Sequence, residues 1–158
     1  MKHKIIKTIV LFTMTLGMGF LKLNAQSGAA LKFDGSNDNV SIGNSLSTTI
    51  SGMNKITVEA WVINPANTTY YGVICGNYQT NGSGMQFLLR RDYNSYAFWI
   101  DCGSGFQVVS GGTPTLNTWQ HVAGVWNGSD LKLYLNGVLV GTQTGVAGTT
   151  FTTSTNEI

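Results

Sequence analysis

Oxygen-bearing side chains crowd the stretch LKFDGSNDNVSI, residues 31–42, between two short apolar runs. Asp34, Asn37 and Asp38 offer two carboxylates and an amide within five positions, and Gly35 permits a sharp bend. Calcium takes roughly six to eight oxygen ligands of these types, although the stretch lacks the glutamate and the length of an EF-hand loop. Asp and Asn also favour plain turns, because their side chains bond nearby backbone groups. The sequence therefore predicts either a turn or a turn supported by calcium.

Paired carboxylates, which most glycoside hydrolases use, are the second chemistry to consider. Retaining hydrolysis needs two carboxyl groups about 5 Å apart. Neither of the two glutamates, Glu59 and Glu157, has a second acid two residues away. Asp101 stands alone on its predicted strand, and Asp92 adjoins Arg91 at a predicted turn. This spacing does not favour catalysis, although acids from separate strands could converge.

His121 is the one histidine outside the first few residues of the chain. Any His-based triad or multi-histidine metal site must therefore include it. On its predicted strand it is in phase with Trp119, Ala123 and Val125, which predicts a histidine packed near the core and not a catalytic base.

A mixed aromatic and polar surface is the third candidate, and it depends on a hairpin whose turn is Tyr93-Asn94. This turn fixes the register of the two flanking strands. The predicted pairs are Arg91 with Tyr96, Leu89 with Phe98, Phe87 with Ile100 and Met85 with Cys102. The opposite face then carries Gln86, Leu88, Arg90, Trp99 and Asp101.

Such a face has the composition of a sugar-binding surface. Aromatic plates stack on the apolar faces of sugars, while charged and amide groups bond the hydroxyls. The predicted ligand-binding residues are Trp99, Arg90, Gln86 and Asp101 on the strands, with Tyr78 and Tyr93 in adjacent loops. The wet outer face of any sandwich can have the same composition, so both interpretations stay open.

A second hairpin is predicted where Asn136-Gly137 separates LKLYL from VLV. Asn-Gly is the strongest two-residue turn signal, because both positions need positive φ. Setting Leu135 opposite Val138 places five apolar side chains on the core face, with Lys132 and Tyr134 on the other face. The five are Leu131, Leu133, Leu135, Val138 and Val140.

Cys75 and Cys102 are the only cysteines. Export would permit a disulfide, but the strand of residues 71–76 most simply pairs with the strand that starts near Met85. One whole strand then separates the thiols, and about 10 Å across two strand spacings exceeds disulfide reach. We therefore favour two small buried thiols over a bridge.

Residues 1–25 have the pattern of a secretory signal peptide, with Lys2, Lys4 and Lys7 before an apolar run that Lys22 closes. The run is shorter than a membrane-spanning helix requires. Without this leader, five basic residues face seven acidic ones, so the positive charge of the whole chain gives no support for nucleic-acid binding. We expect an exported chain with no membrane span after cleavage.

Residues 26–158 are rich in Gly, Thr, Ser and Asn and show no helical periodicity. Short alternating strands separated by Gly and Asn predict a single all-β domain. Besides the two hairpins, strands are predicted at ITVEAWV (residues 56–62) and WQHVAGVW (residues 119–126). The predicted fold is an antiparallel two-sheet sandwich.

Four segments in this order resemble the LamG-like jelly-roll, or concanavalin A-like lectin/glucanase, modules of secreted bacterial proteins. The segments are ALKFDGSNDNVSI, ITVEAWV, WQHVAGVWNGSDLKLYLNGVLVG and the closing NEI. The resemblance implies a jelly-roll fold. It also implies a rim site in which the aspartate of FDG lies near an aspartate of a closing segment, a residue that this sequence does not supply. Such modules usually continue through a further strand that pairs near the first one, here the predicted strand around Phe33. We therefore expect the final strands to be missing and the edge beside the Phe33 strand to be unpaired.

Three functions are compatible with these observations. The favoured one is a noncatalytic extracellular binding or adhesion module, secreted or at the cell surface, with a glycan or an extracellular protein as ligand. The alternative is an enzyme, as a fragment of a glycoside hydrolase. Hydrolases of the wider group carry acids in a pattern like E-x-D-x-E, and the absence of this pattern here does not favour that alternative. The third is a structural spacer, stabilised either by its core alone or by its core and one calcium ion.

Overall fold

The computed structural model describes residues 29–65, 71–77, 84–103, 105–146, 150, 151 and 154. The chain divides into two compact units, residues 1–38 and residues 39–158. The described part contains one helix and eight strands: α1 (Ser45–Ile50), β1 (Ile56–Ile63), β2 (Gly72–Gly76), β3 (Phe87–Asp92), β4 (Ser95–Asp101), β5 (Phe106–Gly111), β6 (Trp119–Trp126), β7 (Leu131–Leu135) and β8 (Val138–Gln143). No helix in these residues is long and apolar enough to cross a bilayer.

Two antiparallel four-stranded sheets make up the second unit. The first sheet has the order β1-β6-β7-β8, and the second has the order β2-β3-β4-β5. The predicted all-β, two-sheet sandwich is therefore confirmed, and its architecture is that of a concanavalin A-like jelly roll.

The core lies between the sheets, because each strand alternates apolar inward residues with outward ones. Gly124 of β6 faces the Phe98 ring of β4 so closely that a Cβ at Gly124 would overlap the ring. The buried apolar residues of this core are Ile50, Phe87, Leu89, Tyr96, Phe98, Ile100, Cys102, Val109, Val122, Trp126, Leu131, Leu133, Val146 and Phe151.

Both predicted hairpin turns are confirmed. Asn136 and Gly137 have φ of 51° and 78°, the positive pair that a type I′ turn needs. At the other hairpin Tyr93 has φ of 53°, and the strands pair Arg91 with Tyr96 and Phe87 with Ile100 as the turn predicted.

The register of the Asn-Gly hairpin departs from the prediction after its second pair. Leu135 pairs with Val138 and Tyr134 with Leu139 as predicted, but Leu133 pairs with Gly141 and not with Val140. The extra residue, Val140, forms a bulge. Val138, which was predicted on the core face, is instead exposed beside the turn.

The predicted strand around Phe33 is wrong within the described residues, because residues 29–43 contain no strand and Phe33 is half-exposed. Helix α1 was also not predicted. Its sequence SLSTTI has little helical periodicity, so burial of Ile50 and Ser47 stabilises it instead.

The two thiols are free, as expected from the strand order. Cys75 pairs with Leu89 of β3, and β3 in turn pairs with β4, which ends just before Cys102. One strand therefore separates them. Burial raises the pKa of the Cys75 thiol, so this thiol is less readily ionised than an exposed cysteine.

Candidate functional site

The outer face of the second sheet carries a stacked arginine, and we call this surface the Arg90 face. It consists of Arg90, Trp99 and Asp101, which were predicted, and Tyr71, Asp92 and Phe106, which were not. The face exists because these side chains are out of phase with the inward residues Leu89, Phe98 and Ile100.

The Arg90 guanidinium lies between two aromatic rings. Its Cζ is 4.7 Å from the centroid of the Tyr71 ring and 4.8 Å from that of Trp99. Planar guanidinium groups stack on aromatic faces in this manner, and the attraction is electrostatic as well as dispersive. Three flat groups are thus fixed side by side, with little rotamer freedom left to lose on binding.

Asp92 neutralises the same guanidinium. Arg90 Nη2 donates to Asp92 Oδ2 at 3.0 Å, and the two side chains are 19% and 22% exposed. Arg90 Nε and Trp99 Nε1 are buried and have no hydrogen-bond acceptor among the described residues. Unsatisfied buried donors are uncommon and require an explanation, such as a ligand that supplies the acceptor.

Two further aromatic contacts extend the Arg90 face. The rings of Tyr71 and Tyr93 meet edge-on at 4.9 Å, and those of Trp99 and Phe106 at 6.4 Å. A hydrogen bond with the Tyr93 side chain raises the pKa of Tyr71. Arg91 Nε donates to the Tyr93 carbonyl oxygen at 3.1 Å, which helps to hold Tyr93 at positive φ.

Asp101 lies at the far end of the Arg90 face, opposite Phe106 on β5. Its Oδ1 accepts the Gly103 backbone N–H at 3.0 Å, so one oxygen closes a turn. Asp92 pairs with Ser95, six positions before Asp101, which separates the two acids by about 20 Å along the strand. Such a pair is much too far apart for retaining hydrolysis.

Gln86 requires a correction, because its side chain is fully buried and not on the surface. Its Nε2 donates to the Ser47 carbonyl oxygen at 3.0 Å, and its Oε1 accepts from Asn77 Nδ2 at 3.0 Å. Gln86 thus joins α1 to the second sheet. The sequence could not show this, because Ser47 is 39 positions away. Tyr78, another predicted ligand residue, lies outside the described residues.

The two aspartates predicted to bind metal close a turn. Asp34 Oδ1 accepts the Ser36 N–H at 2.7 Å, and Asp38 Oδ2 accepts the Asp34 N–H at 2.9 Å. Asn37 is exposed in the same bend. The described residues contain no group of three His, Cys, Asp or Glu placed to hold an ion. One oxygen of each carboxylate bonds to the backbone, so hydrogen bonds alone close the turn. This favours the turn without an ion, and calcium binding by the remaining oxygens of Asp34, Asn37 and Asp38 stays a prediction.

We expect Asp34→Asn to leave this turn intact, because an amide oxygen also accepts from Ser36 N–H, whereas Asp34→Ala loses the bond. Amide exchange at Ser36 should be several-fold faster in the alanine variant than in the asparagine variant, for a bond of about 1 kcal/mol. Thermal melts with calcium and with chelator should coincide. A calcium-dependent rise that disappears in Asp34→Asn would instead establish a metal site.

His121 is on the outer face of the first sheet, so its predicted position near the core is wrong. The inward residues of β6 are Gln120, Val122, Gly124 and Trp126. His121 Nε2 lies 3.6 Å from Glu59 Oε2, and its ring is 5.3 Å from that of Trp61. The alternation in WQHVAGVW was read correctly, but the choice of the inward face was reversed.

Three solved structures with similar folds were compared with the chain. The carbohydrate-binding module CBM66 from Bacillus subtilis is 19% identical, with a TM-score of 0.42 over 60% of this chain and 62% of its own. The binding domain of botulinum neurotoxin serotype C1 is 16% identical, with a TM-score of 0.49 over 73% and 30%. Domains LG4-5 of the mouse laminin alpha1 chain are 13% identical, with a TM-score of 0.43 over 64% and 28%.

The chain thus spans less than two thirds of each of these structures. No curated protein matches the sequence. The family model of the concanavalin A-like lectin/glucanases superfamily matches residues 34–158, which include both sheets and the Arg90 face. The chain therefore belongs to the concanavalin A-like lectin/glucanases superfamily.

Proposed function

We propose that this domain is a noncatalytic, extracellular glycan-binding module whose ligand surface is the Arg90 face. The observation that carries the proposal is the guanidinium of Arg90 held between the rings of Tyr71 and Trp99. This arrangement offers a preorganised flat surface for the apolar face of a sugar ring. The leader-like residues 1–25 support export of the module.

Polar groups around the plate can bond sugar hydroxyls. Asp92 and Asp101 provide acceptor oxygens, and the Tyr93 side chain is half-exposed beside Tyr71. The unpaired N–H groups of Arg90 and Trp99 could donate to a ligand oxygen after a small side-chain rearrangement. Since Asp92 already balances Arg90, the face fits an uncharged glycan better than a strongly anionic one.

The same face does not favour the hydrolase alternative. Asp92 and Asp101 are the acids that the described strands place on it, and their separation excludes a carboxylate pair. Elsewhere in the described residues, Glu59 lies on β1 and Asp130 in the loop between β6 and β7. Asp34 and Asp38 close their own turn. A binding role therefore agrees best with the placement of the acids.

Retention on insoluble neutral polysaccharides tests this function, with cellulose, chitin, xylan, mannan and starch as probes. We expect retention on at least one, weakened about tenfold by Trp99→Ala through loss of a stacking plate. Arg90→Lys keeps the charge but not the planar stack, and should weaken retention several-fold.

Val138→Ala is the matched control, because this exposed side chain lies on the other sheet near a turn. It should bind as the wild type does. No retention on any of the five probes would contradict glycan binding and favour a spacer or a protein ligand. Retention that neither Trp99→Ala nor Arg90→Lys changes would show that the Arg90 face is not the site.

A further inference from the structure

Four outward side chains form a contiguous patch on the first sheet, and we call it the indole block: Trp61, Ile63, Trp119 and His121. Trp61 lies directly opposite His121, and Ile63 directly opposite Trp119, in the antiparallel pairing of β1 with β6. Diagonal neighbours in such a pair are about 7–8 Å apart, so the two indoles are within reach of one elongated ligand.

The indoles are unusually open for large aromatic side chains. Trp61 is 66% exposed and Trp119 is 47% exposed, and Ile63 beside them is 45% exposed. His121 contacts one side of Trp61 at a tilt of 51°, which restrains the indole while leaving most of its surface accessible. Exposed apolar side chains that cluster in this way, and are not scattered singly, mark an interaction site.

A carboxylate flanks the indole block. Glu59 is two positions before Trp61 on the same face of β1, and its side chain is 63% exposed. Its one ionic contact in the described structure is with His121 at 3.6 Å, and no described Lys or Arg pairs with it. A carboxylate beside an open indole complements a ligand ammonium, through ion pairing with the acid and attraction to the aromatic face.

We propose that the indole block and Glu59 bind a glycan that carries primary amino groups, such as a chain of glucosamine units. The indoles of Trp61 and Trp119 stack on successive sugar faces, and Glu59 binds an ammonium. This site is on the other sheet from the Arg90 face and does not depend on it.

The size of the patch favours a glycan over a protein partner. The indole block and Glu59 comprise five residues, whereas a standard protein interface uses roughly 20–30 residues on each side. An oligosaccharide, in contrast, can be held by two plates and one charge.

Calorimetric titration with glucosamine hexamer and with N-acetylglucosamine hexamer tests the proposal at neutral pH and low ionic strength. We expect the amine-bearing hexamer to bind more tightly, with an affinity that falls as salt rises. Glu59→Gln should weaken binding of the glucosamine hexamer about 2–5-fold and leave the affinity for the acetylated hexamer unchanged. Trp61→Ala should weaken both about tenfold.

The substituted positions are exposed, so the variants should fold, and a thermal melt of each variant checks this. If Trp61→Ala has a lowered melting temperature, Trp119→Ala repeats the test. Val138→Ala is the control variant. Equal affinity for the two hexamers, no binding of either, or an unchanged glucosamine affinity in Glu59→Gln would each overturn the proposal. Binding of hexalysine as tight as that of the glucosamine hexamer would assign the patch to cationic peptides instead.

Discussion

Asn77→Ala is expected to lower the free energy of unfolding by about 2–4 kcal/mol. Asn77 is fully buried, and its side-chain amide bonds to three residues in two parts of the chain. Oδ1 accepts the backbone N–H groups of Gln86 and Phe87 at 2.8 and 3.3 Å. Nδ2 donates to Gln86 Oε1 at 3.0 Å and to Ser47 Oγ at 3.3 Å. Alanine would leave several of these groups buried without those partners.

Asn77→Asp distinguishes the contribution of the hydrogen bonds to stability from that of the packing. The aspartate has nearly the same shape and retains Oδ1, but the ionised carboxylate cannot donate to Gln86 Oε1. We expect the Asn77→Asp protein to be destabilised about as much as the Asn77→Ala protein. Burial favours the protonated carboxyl, which can donate, so the aspartate variant should lose further stability as pH rises through the pKa of that carboxyl.

Urea unfolding measures both variants, with Asn44→Ala as the control. Asn44 precedes α1, is exposed and makes no side-chain cap bond. Its replacement should change stability by less than about 0.5 kcal/mol. If Asn77→Ala were equally mild, the buried amide network would not be what anchors α1 to the second sheet.

The features that the sequence predicted are those that neighbouring residues determine. A two-residue turn with positive φ fixes the register of its own hairpin, so Asn136-Gly137 and Tyr93-Asn94 could be located and the pairing of β3 with β4 derived. Alternation along β3 and β4 then placed Arg90 and Trp99 on one face. That part of the Arg90 face needed no knowledge of the rest of the fold.

The features that were missed depend on residues far apart in the chain. Tyr71 reaches Arg90 because β2 pairs with β3. The buried Gln86 side chain bonds to Ser47 and Asn77, and Ser47 is 39 positions away. The bulge at Val140 also depends on residues far apart in the chain. Gly111 and Gly141 let β5 and β8, of different sheets, approach so closely that a Cβ at Gly111 would overlap the Val140 carbonyl. A local sequence pattern does not indicate that two strands of different sheets approach each other in this way.

The face of β6 shows why alternation alone is insufficient. Trp119, His121, Ala123 and Val125 are as apolar as Gln120, Val122, Gly124 and Trp126, so the pattern permits either set to face inward. The observed choice places Gly124 against Phe98 of the opposite sheet, where a Cβ would overlap the ring. Its consequence is that two tryptophans and a histidine face outward, where the indole block forms.

Gly124→Ala is therefore expected to destabilise the domain by about 3 kcal/mol, although alanine suits a strand better than glycine. The added Cβ would overlap the fully buried Phe98 ring, which packs between Leu89 and Val109 and has little room to move. Phe98→Leu alone should cost about 1–2 kcal/mol through lost packing. In the double variant the leucine at position 98 accommodates the added Cβ. The double variant should therefore lose at least about 1 kcal/mol less unfolding free energy than the sum of the losses in the two single variants.

Urea unfolding of the four proteins completes this cycle, and Gly72→Ala is the matched glycine control. A Cβ at Gly72 would meet its nearest neighbour, Arg91 Cβ, at 4.0 Å, an ordinary contact, so that variant should be neutral or slightly stabilised. Additive losses in the Gly124 and Phe98 cycle would mean that the two residues do not meet across the core. Coupling of the expected sign would establish the contact between the sheets that turns Trp61, Trp119 and His121 toward solvent.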